Sequence, residues 1–510
     1  MEDHAGSPHI AICGAGISGL TLAGILAREL RDTAARISVF ERAPRDSDQG
    51  YGLDLDEHGQ EALARAGVYH RYWEISRVRS DKFALCSPSS IEPLSFSYRP
   101  PWLMQHFPGH FHARPESNRE KLREVLLEAL ERHGNNTVQF ETSVWDIREI
   151  VGNGGSTAEL LGEDGGSLGV YDLVIDAMGL HSTLRLHRVT DPVGIHYEGA
   201  VLIHGMVENP EATFPPELLK AFELYGTIAS SCDGYRMVIQ RFGGGEGDNR
   251  TSINYTVMRE DGEDGLFAEL GFDKPTSREG GIMRGERLAR VKEWIKDDMA
   301  GNWDQLYEMA IDCLERVTVR NSMVHGHSTL KSGLSLPLVC IGDSPQNCGL
   351  GGGGVLALRD VNELSKALLK DSAFDSAGRA VLPPLREVEA VMIDRKYGFN
   401  ERKKADPRLK PRDLQQLAET SSTQARHARA VAKGKSFLPV PVEELPEAAE
   451  AALRERGWSP DLEPEEVAAL VKQWLREDFA EQKDGCDPSS PIFPNVARYL
   501  EEQGLPRARM

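Results

Sequence analysis

The residues with the clearest chemical spacing stand near the start of the chain. Gly14-Ala15-Gly16-Ile17-Ser18-Gly19 follows a short apolar run, His9–Cys13, and precedes an apolar helical face of Leu20, Ala23, Leu26, Ala27 and Leu30. A second apolar run, Ile37–Phe40, ends on Glu41, 22 residues after Gly19. Strand, glycine turn, helix, strand and acid, in that order, are the parts of a dinucleotide-binding unit. Gly14 serves the tight turn, Gly16 lets backbone amides approach a pyrophosphate, and Gly19 lets helix and strand pack closely. Ile17 and Ser18 open the helix, whose unpaired N–H groups and positive dipole end face the phosphates. Glu41 is placed to accept hydrogen bonds from ribose hydroxyls, and an acid there argues against a 2′-phosphate.

Two further stretches carry chemistry-bearing residues. One is the buried-type strand Tyr171–Ala177 followed by Met178-Gly179-Leu180-His181-Ser182-Thr183-Leu184-Arg185. The other is Leu336–Asp343, a core strand ending on Ile341-Gly342-Asp343, followed by the glycine run Gly349–Gly354 and a helix from Val355 through Leu369 that carries Arg359-Asp360.

The elements between them are read from hydrophobic period and turn residues. Gly52–Val68 is a short extended piece and a helix capped by Gly67. Residues 76–112 alternate in character and are rich in Ser, Pro and aromatics, and Ser117–His133 is a helix with leucines at helical spacing. Strands are expected at Val138–Phe140 and around Val144, with a glycine-rich hairpin near 152–169. From about 190 to 315 strands alternate with Gly, Asp and Asn, as in an antiparallel sheet, and two helices follow, Arg287–Asp298 and Trp303–Leu314. Beyond 405 the chain is charged, with helices expected at Glu447–Arg456, Glu465–Gln482 and Val496–Gln503.

Composition bounds the rest. A chain of 510 residues holds two or three domains, and a net charge of −20 argues against nucleic acid and against an anionic membrane surface. The opening MEDHAGSPHI lacks a basic start and an apolar core, and no run of 18 apolar residues occurs, so neither a secretory signal nor a spanning helix is expected. The seven cysteines are scattered without CxxC spacing, which suits reduced thiols in a cytoplasmic protein. His106, His110 and His112 lie in a Pro/Gly loop without an acid array, and no metal site is expected.

Taken together, the three stretches resemble the class A FAD-dependent monooxygenases, the aromatic-hydroxylase family. Leu53-Asp54-Leu55 with Gly59-Gln60-Glu61-Ala62-Leu63 is similar to the branch holding tetracycline-inactivating enzymes and fungal polyketide hydroxylases. Arg119 and Leu122 match the family's Arg-x-x-Leu, and Tyr197-Glu198-Gly199 with Gln240-Arg241 match its substrate-side sheet. The resemblance spans roughly residues 8–400. It implies a Rossmann-like FAD-binding domain interrupted by a mostly antiparallel β-sheet substrate domain. The expected layout is 1–75, 113–190 and 316–400 for the first, 76–112 and 191–315 for the second, and a C-terminal helical extension over 401–510.

The cofactor set implied is Gly14, Gly16, Ile17, Ser18, Gly19, Glu41, Arg42, Asp54, Arg119, Val144, Gly342, Asp343, Gly351, Gly352, Gly353 and Gly354. Asp343 would take ribityl hydroxyls, Arg119 the adenosine or pyrophosphate side, and the last glycines the reduced ring, whose negative charge a helix dipole stabilises. His204, Ile228, Met237, Asn347 and Cys348 are candidate substrate residues, with His204 also a weak catalytic candidate. The implied chemistry is reduction of FAD by NAD(P)H, addition of O₂ at the flavin C4a, and oxygen transfer from the hydroperoxide to an apolar, aromatic or polycyclic small molecule. No second dinucleotide unit for NAD(P)H is found, and a monomer or homodimer is expected.

The chain departs from the family at two places. Met178 stands where an acid or Asn is usual, and Ser344-Pro345-Gln346-Asn347-Cys348 replaces a His/Pro loop about two residues longer. These departures keep two rivals open: a flavin oxidase or oxidative cyclase needing no external reductant, and a flavin-binding protein without catalysis.

Overall fold

The computed structural model describes residues 6–47, 52–77, 83–97, 101–104, 106–107, 116–152, 155–190, 194–224, 226–232, 235–242, 250–275, 281–348, 353–405, 438, 442–481 and 494–503. Its organising element is a five-stranded sheet with the order Leu338–Cys340, Leu173–Asp176, His9–Cys13, Arg36–Phe40 and Asn136–Gln139. All four pairings are parallel. Strands of a parallel sheet are covered on both faces, which is why these stretches read as unbroken apolar runs. Helices Ile17–Glu29, Glu57–Arg65, Arg119–Glu131 and Gly353–Leu368 share one cluster with Ile10, Ile12, Val39 and Ile175. On the other face Ala11, Cys13, Val174 and Cys340 pack with Val144, Ile147 and Leu160 of a three-stranded antiparallel sheet. The register aligns Cys13 with both Phe40 and Asp176, and Asp176 with Cys340. The glycine turn, Glu41, the Asp176 stretch and Gly342-Asp343 therefore leave adjacent strands at one carboxyl edge, the edge at which doubly wound sheets bind ligands.

A second sheet has seven strands, in the order Arg316–His325, Ile195–Val207, Arg250–Met258, Tyr235–Phe242, Thr227–Cys232, Phe83–Ser87 and Ser90–Ser97. Every pairing is antiparallel except that of Thr227–Cys232 with Phe83–Ser87. One face carries Val201, Ile203, Ile239, Ile253 and Val257 against helices Gly262–Leu270, Gly285–Met299 and Gln305–Asp312.

Several boundaries differ from the expectation. Tyr171–Ala177 is two strands, because Tyr171 ends the antiparallel Ser167–Tyr171 and only Leu173–Asp176 joins the parallel sheet. The boundary expected at 315/316 falls before Arg316–His325, yet that strand is the edge of the seven-stranded sheet, held by nine paired positions along Ile195–Val207. No change of composition marks that passage. Ser76–Arg77 likewise pairs with Glu116–Asn118, not with the large sheet. The helix expected from Val355 already begins in the glycine run at Gly353, and Leu382–Ala405 runs without a break through position 400.

The C-terminal helices divide between the two cores. Leu453, Val467, Val471 and Trp474, on Glu447–Glu455 and Pro464–Glu481, join the cluster of the seven-stranded sheet. Trp474 meets the Trp102 ring edge-on at 5.2 Å, and the Arg456 guanidinium lies 4.5 Å from the centre of the Trp102 ring. Helix Pro494–Glu502 instead places Val496 and Leu500 in the cluster of the parallel sheet. Its Asn495 donates to Glu61 at 2.8 Å.

Candidate functional site

The glycine turn owes its shape to contacts that exclude side chains. Gly14 has φ +108°, and a Cβ there would lie 2.5 Å from the Ala177 carbonyl oxygen. A Cβ on Gly19 would stand 2.0 Å from the Gly14 oxygen, so strand and helix meet backbone to backbone. Gly16 is different: apart from its two chain neighbours, no atom of the described residues lies within 4 Å of where its Cβ would be. It caps Ile17–Glu29 with no side-chain hydrogen bond. The space beside it is therefore open at a helix N-terminus, which favours an anion.

Glu41 accepts from the Ala15 amide and the Ala43 amide, both at 2.9 Å, one on each oxygen. These bonds orient the carboxylate while each oxygen keeps a further lone pair. Arg123, which the sequence reading passed over, donates Nε to the Ala15 carbonyl at 3.0 Å and Nη1 to the Arg45 carbonyl. It thereby pins the turn from the helix beneath. A basic residue four after Arg119 on a leucine-lined helix was its only sequence signal. Arg42 is exposed, and its charge adds to burial in lowering the His181 pKa.

The second and third stretches are tied together by Asp176. Its Oδ2 accepts from Ser182 at 2.5 Å and from Ser344, and its Oδ1 accepts from the Met178 amide at 3.1 Å. Burial raises its carboxyl pKa despite these bonds. Next to it, Gly342 has φ +64°, and a Cβ there would lie 3.2 Å from Ser18 Oγ. The first turn and the last strand thus touch. The Gly342 amide donates to Asp360 at 3.1 Å, and its carbonyl accepts from Lys396. Lys396 and Asp360 form an ion pair, both side chains fully buried. That pair fixes the turn from which Asp343 projects.

Asp343 Oδ1 is shielded from solvent and has no hydrogen-bond partner among the described residues. Burial raises its pKa, while the charges of Lys396 and Arg119 act in the opposite direction. Arg119 therefore influences the Asp343 end of the site. Both Asp343 oxygens lie 3.6 Å from where a Gly353 Cβ would stand, and a Gly354 Cβ would clash with Leu53 at 2.5 Å. Gly351 and Gly352 lie outside the described residues. Asp54 ends a short strand paired with Glu116–Asn118, and Val144 is buried in the core cluster beside Phe40.

The substrate candidates separate. His204 is buried and its Nδ1 lies 2.6 Å from Asn254 Oδ1, on the face of the seven-stranded sheet away from the helices. Ile228 and Met237 point the other way, into the core packed on those helices. Asn347 is engaged at both ends of its amide: Oδ1 accepts from the His325 amide at 2.7 Å and Nδ2 donates to the Met323 carbonyl at 2.8 Å. Its carbonyl accepts from Asn400 at 2.9 Å. Asn347 thus sews the shortened loop to the edge strand, and neighbouring Cys348 is a buried thiol.

No protein-family model and no curated protein matches the chain. Solved structures do. HpxO of Klebsiella pneumoniae, solved with FAD and uric acid, is 18% identical with a TM-score of 0.61, over 86% of this chain and 97% of that one. The 2,6-dihydroxypyridine-3-hydroxylase of Arthrobacter nicotinovorans is 18% identical with a TM-score of 0.60, over 79% and 93%. The fold is that of the FAD-containing monooxygenases. The tetracycline destructase Tet(51) shares it at 14% identity and a TM-score of 0.50, over 83% and 97%. Across such identities the comparison carries the monooxygenase fold rather than a particular branch of it. Within that fold the open side of Gly16, the free lone pairs of Glu41 and the unpartnered Asp343 oxygen suit a phosphate pair, a ribose and a polyhydroxyl chain.

Proposed function

We propose that this chain is an FAD-dependent monooxygenase that draws on NAD(P)H and O₂ to oxygenate an aromatic or polycyclic small molecule. The observation that carries the reading is the shared carboxyl edge of the parallel sheet. There the open turn at Gly16, the oriented Glu41 and the solvent-shielded Asp343 Oδ1 stand on adjacent strands. In this reading the amides of residues 14–19 and the dipole of Ile17–Glu29 hold the pyrophosphate, Glu41 a ribose, and Asp343 the ribityl chain. FAD, when bound, supplies the oxygen chemistry that no side chain here can perform.

The protein's own part is positioning and exclusion of water. The Lys396–Asp360 pair holds the Gly342-Asp343 turn, and the seven-stranded sheet gives the substrate a wall on which His204 and Asn254 are already hydrogen-bonded. Among the described residues no helix is long and apolar enough to cross a membrane.

A second reading, an oxidase or oxidative cyclase on the same fold, rests on Met178. Its thioether offers only a weak acceptor. Purified protein showing a flavin spectrum, mixed anaerobically with NADH or NADPH, separates the readings. Bleaching by the nicotinamide supports the monooxygenase. Bleaching only by an organic substrate supports the oxidase, and a yellow protein that neither reagent reduces leaves a flavin binder. A colourless preparation that takes up no FAD defeats all three.

A further inference from the structure

The two stretches in which the chain departs from the family it resembles meet at one buried imidazole. His325 ends the edge strand Arg316–His325 of the seven-stranded sheet and is buried. Its Nδ1 lies 3.2 Å from the amide nitrogen of Asn347, in the shortened segment 344–348. Its Nε2 lies 3.2 Å from the carbonyl oxygen of Leu180, two residues past Met178. Each partner is a main-chain group with one fixed role. The Asn347 N–H can only donate, so Nδ1 accepts; the Leu180 oxygen can only accept, so Nε2 carries the proton. The backbone thereby dictates the neutral Nε2–H tautomer. The other tautomer would set N–H against N–H at one end of the ring and lone pair against lone pair at the other.

The segment 344–348 is also seamed to this strand end by its own side chains. Gln346 Oε1 accepts from the Ser328 amide at 3.0 Å, and its Nε2 donates to the His325 carbonyl at 3.3 Å. The Asn347 side chain holds the His325 amide and the Met323 carbonyl. Both amide side chains are therefore turned back onto the strand, and the imidazole carries the seam across to the turn after Met178. Asp176 joins the same two segments at Ser182 and Ser344. His325 joins them at Leu180 and Asn347, and adds the edge of the large sheet to the junction. A rigid ring bonded at both ends sets how far apart the two segments stand. Segment 344–348 follows Asp343 directly and leads into the glycine run, and both Asp343 oxygens lie 3.6 Å from where a Gly353 Cβ would be.

We propose that His325 is a positioning residue for the ring end of the cofactor: its imidazole, held as the Nε2–H tautomer, sets segment 344–348 and through it the placement of Asp343 against the glycine run. This rests on the reading of the chain as an FAD protein. Groups that meet a ligand need partners behind them to hold their geometry, and here that support comes from the substrate-side sheet rather than from the nucleotide-binding unit. None of these bonds involves Gly14–Gly19 or Glu41, so the adenine end of the site is independent of the ring. Loss of the imidazole leaves the Asn347 amide without its acceptor and the Leu180 carbonyl without its donor, and the segment is free to settle elsewhere.

The test compares FAD with ADP, which matches the adenine end of the cofactor but has neither ribityl chain nor ring, by calorimetric titration of the full chain stripped of flavin. Three variants accompany the parent: His325→Asn keeps an acceptor near the Nδ1 position, His325→Gln keeps a donor near the Nε2 position, and His325→Leu keeps neither. The expected result is about tenfold or greater loss of FAD affinity in His325→Leu, ADP affinity within about twofold of the parent, and the two amides in between. The visible circular dichroism of bound flavin changes in His325→Leu and returns toward the parent in the amides. Unchanged FAD affinity and dichroism in His325→Leu, or equal losses for FAD and ADP, overturns the proposal. Should His325→Leu fail to fold, the amides decide: weaker FAD with unchanged ADP supports the proposal, and FAD and ADP falling together, or both amides matching the parent, defeats it. A parent protein that takes up no FAD removes the cofactor reading and this proposal with it, an outcome distinct from variants that bind FAD as the parent does.

Discussion

At the scale of single residues the glycine turn separates folding from binding. Gly16→Ala adds a methyl group where, among the described residues, no atom beyond its chain neighbours lies within 4 Å, at an ordinary φ of −76°. Its thermal midpoint should stay within about 0.5 °C of the parent, a change of about 0.5 kcal/mol for a chain of this size. Its affinity for FAD, read by flavin fluorescence, should fall at least tenfold. Gly19→Ala should do the reverse of sparing the fold, since its methyl meets the Gly14 oxygen at 2.0 Å. Overpacking of this kind costs about 1–3 kcal/mol or more, measurable by denaturant midpoint. His9 gives a pH signature. Burial, and then the Arg36 charge, lower its pKa to about 4, while Nε2 lies 2.9 Å from Ser38 Oγ. The folded state therefore binds fewer protons than the unfolded one between pH 6.5 and about 4. The contribution is intact above that window and lost as pH falls through it. Urea midpoints at pH 7 and pH 4.5 should fall more steeply for the parent than for His9→Gln; parallel slopes would count against this.

Between elements, the strongest tie is the buried charge pair under the last motif. Lys396, on Leu382–Ala405, reaches Asp360, on Gly353–Leu368, and the two hold the Gly342 carbonyl and amide respectively. Lys396→Met leaves Asp360 buried beside Arg395 alone, 3.4 Å away. Breaking one half of such a pair costs about 3–5 kcal/mol. Adding Asp360→Asn should recover part of it, because the amide oxygen still accepts from Gly342. Denaturation of the single and double variants checks this, and a double variant worse than the single would argue against the pair. The helix Pro494–Glu502 is a second such tie, remote in sequence from the helix it covers. Leu500→Ala removes a fully buried side chain from that contact and should cost about 2–5 kcal/mol in the same assay.

Across the whole molecule, the chain order of glycine turn, Glu41, Asp176 stretch and Gly342-Asp343 is legible in the sequence. Each depends on local rules: where glycine is needed, how a buried parallel strand reads, and what opens a helix. Residues 14–19 and Glu41 needed only those rules, and so did most helices, which carry their own period and caps. The split of Tyr171–Ala177 and the pairing of Arg316–His325 with Ile195–Val207 had no such local mark. Pairing energy is gained between segments far apart in sequence, and an apolar run is compatible with either sheet. The same holds for charge and direction of side chains. Nothing in the string marked Lys396 and Asp360 as partners 36 residues apart, or Arg123 as the prop of the glycine turn. Ile228, Met237 and His204 all fall on strands of one sheet, but only the register puts the first two on the opposite face from the third, since a shift of one residue turns every side chain over. Residue type and local spacing thus sufficed for the parts proposed to hold a dinucleotide. Burial, register and long-range pairing, which exist only once the chain has closed on itself, allocated the remaining residues between core, clamp and cleft.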